Sequence, residues 1–152
     1  MKELRRFKYA LEGIFTAVKT ESHFRFHLVA AFYVFLFAYL GDFSITEWCV
    51  LLITVGSVLA LELVNTAFES LCDLYSKEQN PLIKRIKDIA AGAVLVFAFC
   101  AAAVAVFLFL STGKLQSGIM RIYQNPLWFI PLGLSAAGSV IFIIFPKKNK
   151  HK

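Results

Sequence analysis

Four long apolar stretches, residues 24–40, 50–67, 88–110 and 127–145, leave this chain few ways to fold. A helix that crosses the hydrocarbon core of a bilayer takes about 20 residues, so 152 residues hold one helical bundle and little else. Hydrophobic residues make up 59% of the sequence and the mean hydropathy is +0.68, well above the balance of a soluble domain. The expected fold is all-α, an integral membrane helical bundle with four transmembrane helices and an amphipathic amino-terminal surface helix. The formal charge of +6 does not point to nucleic acid, because the basic residues flank apolar segments, where anionic lipid headgroups are their neighbours. Cys49, Cys72 and Cys100 lack the spacing of a zinc site or a disulfide framework and read as small packing residues.

Residues 1–22 are mixed in character. Leu4, Phe7, Leu11, Ile14, Phe15 and Val18 recur at three- and four-residue steps, accompanied by Lys2, Arg5, Arg6, Lys8 and Lys19. That pattern predicts a helix lying in the headgroup region. The first span follows and ends at Gly41-Asp42. The second begins near Ile45 and runs to Tyr75, about thirty residues and roughly 45 Å at 1.5 Å per residue, so its last turns should leave the membrane. Residues 76–87 read as a polar connection with a turn at Asn80-Pro81, and the third span is expected over 88–110. Residues 111–126 read as a second polar loop before the fourth span. Lys and Arg crowd the amino terminus, the middle connection and the carboxyl-terminal tail, whereas the other two connections hold only Lys114 and Arg121; the positive-inside rule then places both termini in the cytoplasm.

The chemistry concentrates on the second span. Glu62, Asn65, Glu69 and Asp73 fall at roughly 0°, 300°, 340° and 20° around a helix at about 100° per residue, a single polar stripe. A carboxylate in or near the hydrocarbon core costs a few kcal/mol, so the deep acid Glu62 reads as functional rather than as packing. Glu69 lies about 10 Å nearer the surface, seven residues at 1.5 Å each. Carboxylates at two helix ends, Glu21 and Glu69, are hard oxygen donors of the kind Mg²⁺ takes together with phosphate oxygens and water. Lys87 offers a cation for phosphate, and a loop-to-helix junction at Lys87-Asp88 would add backbone N–H groups. Glu62 could then accept a proton from a buried hydroxyl, oriented by Asn65. Simpler roles compete at several positions: Asn65 bonding a neighbouring helix, Asp88 capping a helix, the basic loop facing lipid headgroups, and His23 and His27 packing at the interface. Neither a GxxxxGK[ST] loop nor the protein-kinase motifs occur in the sequence, so a kinase here is of another kind.

Several blocks together carry a resemblance. Glu62-Leu63-Val64-Asn65-Thr66-Ala67-Phe68-Glu69, Asp73-Leu74 and Lys87-Asp88-Ile89-Ala90-Ala91-Gly92-Ala93-Val94-Leu95, with Tyr9-Ala10-Leu11-Glu12-Gly13 and Glu21-Ser22-His23-Phe24-Arg25, resemble the prokaryotic diacylglycerol kinase family over about residues 7–110. The resemblance implies a homotrimer of three-span protomers with composite sites, using ATP and Mg²⁺. It implies Glu21 and Glu69 as metal ligands and Glu62 as proton acceptor. Tyr9, Glu78, Gln79, Asn80, Lys87 and Asp88 correspond to nucleotide-contacting positions together with the two metal ligands, Asn65 and Asp73 to polar positions bordering the site, and Phe24 and Arg25 to the lipid-substrate region. The residues Phe24 to His27, Glu47-Trp48 and Asn80-Pro81-Leu82 are similar to the undecaprenol-phosphorylating branch of Gram-positive bacteria. Residues 1–111 are thus expected to form the lipid kinase domain of a bacterial cell membrane protein, with residues 112–152 an added helix and basic tail outside the family core. Diacylglycerol is the alternative substrate, and a small proton-coupled transporter the alternative of another class.

Overall fold

The computed structural model describes residues 2–75 and 80–144. Its elements, all helical among those residues, are α1 (Lys2–Thr20), α2 (Ser22–Leu40), α3 (Ile45–Tyr75), α4 (Pro81–Ala105), α5 (Lys114–Gln124) and α6 (Phe129–Ile144). A π-helical turn, Val106–Leu110, extends α4, and a short 3₁₀ turn, Pro126–Trp128, precedes α6. Four helices are long and apolar enough to span a membrane: Ser22–Leu40, Ile45–Tyr75, Pro81–Leu110 and Pro126–Ile144. The apolar surface is turned outward. Phe97, Phe99 and Phe107 on the third span and Ile130, Leu134 and Ile141 on the fourth are all exposed, as expected of helices solvated by lipid tails.

Two of the expected boundaries are corrected. The third span starts at Pro81 rather than at residue 88. Asn80 caps it, its Oδ1 accepting the Leu82 N–H at 2.9 Å, with Pro81 in the first helical position; the dipeptide that reads as a turn is a helix start. Residues 114–124, expected as loop, form α5, which buries Gly118 and Ile122. Their four-residue spacing was the available signal, obscured because the other positions of this short helix are mostly polar or exposed.

The best-packed core lies at the α2–α3 turn, where Ala38, Phe43, Leu51 and Phe109 are buried together. Phe43 and Phe109 bring their ring centroids to 4.7 Å, Phe109 being delivered by the π-helical turn. The α2–α3 connection uses Asp42 at φ 52°. At Gly41 an added Cβ would stand 2.9 Å from the Lys114 carbonyl oxygen, so only glycine lets α5 approach the end of α2 this closely. Arg121 pairs with Asp42 and Lys114 with Glu47 across the same end. Both cations that the charge distribution leaves on this side therefore have carboxylate partners.

The opposite end joins α1, α2 and α6. Arg25 is 2% exposed and spans all three: its Nη1 donates to the Val18 carbonyl at 2.9 Å, and its Nη2 and Nε donate to the Ile143 carbonyl at 3.1 and 3.3 Å. Tyr33, further along α2, has its hydroxyl 3.2 Å from Ser135 Oγ and 3.4 Å from Ser139 Oγ. The fourth span therefore packs on α2 of the same chain. Carbonyls at a helix end have no partners within the helix, and a guanidinium with its forked donors satisfies two such ends at once.

Candidate active site

The polar stripe of α3 stands on the half of the helix nearest α1 and the start of α4, and each of its members has a distinct setting. Glu62 is 5% exposed and faces α2, where His27 Nε2 lies 3.0 Å from its Oε1. A buried carboxylate calls for a polar or cationic partner, and His27 is the side chain that stands against it. The sequence reads His27 as interfacial packing; the structure corrects this by placing it against Glu62. A deep acid demands a partner on a neighbouring helix, and His27 is the deepest polar side chain of α2 before Tyr33, so the signal lies in the demand rather than in any motif.

Asn65 orients Glu69, its Nδ2 donating to Oε1 at 3.1 Å, rather than reaching Glu62. Its own Oδ1 is a buried acceptor without a donor among the described residues. Such an atom fits a donor that arrives with a ligand, a hydroxyl or a water. Glu21 is the residue between α1 and α2, with extended backbone at φ −108° and ψ 114°, and is 9% exposed. Phe24 and Arg25 follow in the first turn of α2, both 2% exposed. Arg25 ties the corner where α1, α2 and α6 meet.

Asp73 Oδ1 receives Lys87 Nζ at 2.5 Å, linking the end of α3 to α4. Lys87 and Asp88 lie about two turns inside α4, so the expected loop-to-helix junction there is absent and their backbone N–H groups belong to the helix ladder. The polar group that Lys87 offers here is its ammonium, not a cradle of backbone amides. Asp88 is likewise no helix cap. Tyr9 lies on α1, 63% exposed, and Asn80 is engaged as the α4 cap; neither meets the stripe within one protomer. Glu78 and Gln79 fall outside the described residues.

Between α3 and α4 an apolar cleft of about 310 Å³ is lined by Leu61, Val64, Phe68, Ile86, Ile89 and the alanines 90 and 93, with Asn65 its polar wall. The small residues of α4 create the space by admitting close approach without filling it. Among the described residues no three His, Cys, Asp or Glu side chains gather into a metal cage. The carboxylates of Glu21 and Glu69 nonetheless have the chemistry of a Mg²⁺ site, which is completed by phosphate oxygens and waters rather than by a full protein shell.

A family model for prokaryotic diacylglycerol kinase matches residues 8–109. Undecaprenol kinase of Bacillus subtilis (strain 168) is 40% identical over 104 residues, 68% of this chain and 85% of that protein. Diacylglycerol kinase of Synechocystis sp. is 40% identical over 96 residues, 62% of this chain and 55% of that protein; that of Haemophilus influenzae is 34% identical over 90 residues, 59% and 75% of the respective chains. No solved structure matches the chain. The matched region contains the whole stripe, Glu21 and Lys87, whereas α5 and α6 lie beyond it. The match over residues 8–109 makes this chain, with its four helices long and apolar enough to span a membrane, a member of the prokaryotic diacylglycerol kinase family, a bacterial membrane lipid kinase that transfers phosphate to an alcohol.

Proposed function

We propose that the protein phosphorylates undecaprenol at the cytoplasmic face of the membrane, with ATP as donor and Mg²⁺ as cofactor. The observation that carries this reading is Glu62, an acid held 5% exposed about 10 Å below Glu69 by helix rise, where a lipid hydroxyl can reach it from the bilayer while the γ-phosphate of ATP approaches from the side of Glu69. Glu62 accepts the proton of the alcohol. The alcohol oxygen bonds to the γ-phosphorus as the bond from that phosphorus to the bridging oxygen of ATP breaks, and ADP leaves. Glu21 and Glu69 hold the metal, which neutralises phosphate charge when bound. Lys87 meets the phosphates, with Tyr9, Glu78, Gln79, Asn80 and Asp88 contributing to nucleotide binding, and Asp73 steadies Lys87.

The acceptor lies with its hydroxyl near Glu62 and Asn65 and its apolar chain against the α3–α4 cleft. Phe24 and Arg25 shape the acceptor's surroundings from the first turn of α2. Undecaprenol is favoured over diacylglycerol by the match to the Bacillus subtilis enzyme, which extends over 85% of that protein where the diacylglycerol kinase of equal identity is covered over 55%. Exposure of Leu4, Phe7, Tyr9 and Phe15 along α1 supports a surface helix that meets lipid or a neighbouring protomer, in keeping with a homotrimer of composite sites whose termini face the cytoplasm. In mixed micelles with ATP and Mg²⁺, undecaprenol should be phosphorylated faster than diacylglycerol. The reverse order would remove the substrate assignment and leave the kinase.

A further inference from the structure

Antiparallel α2 and α3 carry their polar groups at two matched levels. On α2, His27 follows Glu21 by six residues, about 9 Å of helix rise; on α3, Glu62 precedes Glu69 by seven, about 10 Å. The 3.0 Å contact between His27 Nε2 and Glu62 Oε1 joins the deeper level, and its register brings the shallower pair, Glu21 and Glu69, to a common height. His27 is itself only about one-fifth exposed, its side chain 21% accessible against 7% for Glu62, and its ring meets the edge of Phe26 at 5.6 Å. A carboxylate on an apolar helix with rotatable χ angles would otherwise turn toward any polar group in reach.

From this geometry we infer that His27 is a positioning residue for the kinase reaction: its Nε2–H holds Oε1 of Glu62, so that the second carboxylate oxygen is presented to the acceptor hydroxyl. The inference rests on Glu62 being the proton acceptor. One oxygen held against the imidazole nitrogen at 3.0 Å restricts the rotation of the carboxylate, and an oriented base is worth orders of magnitude in rate. His27 does not touch phosphate or metal in this role. Its loss therefore lowers turnover and leaves the Michaelis constants for ATP and Mg²⁺ in place.

The test compares full-length His27→Leu, His27→Gln and His27→Asn with the parent, reading kcat, KM for ATP and for undecaprenol, and the thermal midpoint in detergent. His27→Leu should lose about tenfold or more in kcat with KM for ATP within about twofold. Glutamine, whose amide nitrogen reaches as far as Nε2, should restore kcat to within about fivefold of the parent, and asparagine, a methylene shorter, should restore less. Parental kcat in His27→Leu overturns the inference. So does equal loss of turnover in the leucine and glutamine variants in step with lowered thermal midpoints, which is the signature of packing alone. Glu62→Gln, assayed alongside, separates the two layers: if it retains turnover, the base assignment itself fails, whereas an inactive Glu62→Gln beside a fully active His27→Leu refutes only the positioning role.

Discussion

A single acid one-twentieth exposed on an apolar helix places a sharp demand on its neighbours. Removing one member of a buried polar pair leaves the other unsatisfied, at about 1–3 kcal/mol for a neutral group and more for a charge. Glu62→Gln keeps the shape and can still hydrogen-bond, so the protein should fold and bind nucleotide with affinity changed less than about twofold, while kcat falls by about 100-fold or more, the usual worth of a general base. Nucleotide titration and turnover on the same preparation check both halves. The Asp73–Lys87 pair stands in a different setting, with 57% and 35% of the two side chains exposed, where an ion pair is worth about 0.2–1 kcal/mol. Lys87→Met should therefore weaken ATP binding by about tenfold or more, through loss of the cation that meets phosphate, whereas Asp73→Asn should weaken it by less than about threefold. Equal effects of the two would mean that Asp73 does more than steady the lysine.

At the scale of elements, what distinguishes this chain from the matched family core is the attachment of α5 and α6 to α2. Two devices hold α6. Arg25 ties the α1–α2 corner to the end of α6 through the Val18 and Ile143 carbonyls, and Tyr33 reaches Ser135 and Ser139 midway along the helix. Arg25→Met should cost about 2–4 kcal/mol, since several carbonyls lose a charged donor, and Tyr33→Phe only about 0.6 kcal/mol, the average worth of a hydrogen bond between membrane helices. Denaturant titration in detergent ranks the two. A ranking with Tyr33→Phe the more damaging would show that the midpoint contact, and not the arginine, carries the attachment. Gly41→Ala belongs to the same scale. A Cβ 2.9 Å from the Lys114 backbone oxygen cannot be relieved by moving a side chain, so α5 must shift, and that variant should be less stable by about 1–3 kcal/mol.

For the whole molecule, the orientation proposed from the charge of its connections is open to direct labelling. In a background with Cys49, Cys72 and Cys100 replaced by alanine, Lys84→Cys should react with a membrane-impermeant maleimide only after the cells are opened, and Thr112→Cys should react in intact cells. The opposite pattern would invert the topology and place ATP on the wrong side of the membrane for this site. Much of this architecture is legible without coordinates. Helix α3 begins and ends where the sequence predicts, because a long apolar run bounded by polar residues is a local property and the membrane rewards it regardless of context. The stripe of Glu62, Asn65, Glu69 and Asp73 is equally local, a consequence of 3.6 residues per turn. The start of α4 and the existence of α5 are less legible, since Asn80-Pro81 suits a turn as well as a cap and α5, though amphipathic, spans only 11 residues between two apolar spans.

Sequence alone thus determined the number of spans, the side of the membrane its charges favour, the carboxylate stripe and the kinase family that its motifs resemble; each depends on spacing along one segment. Only the tertiary structure decided that Glu62 meets His27, that Asn65 bonds Glu69 rather than Glu62, that Lys87 leans on Asp73, and that Arg25 closes the corner onto α6. Those pairings join residues up to 118 positions apart or hinge on one rotamer among several, and both are settled by the packing of helices against one another, which no local pattern records.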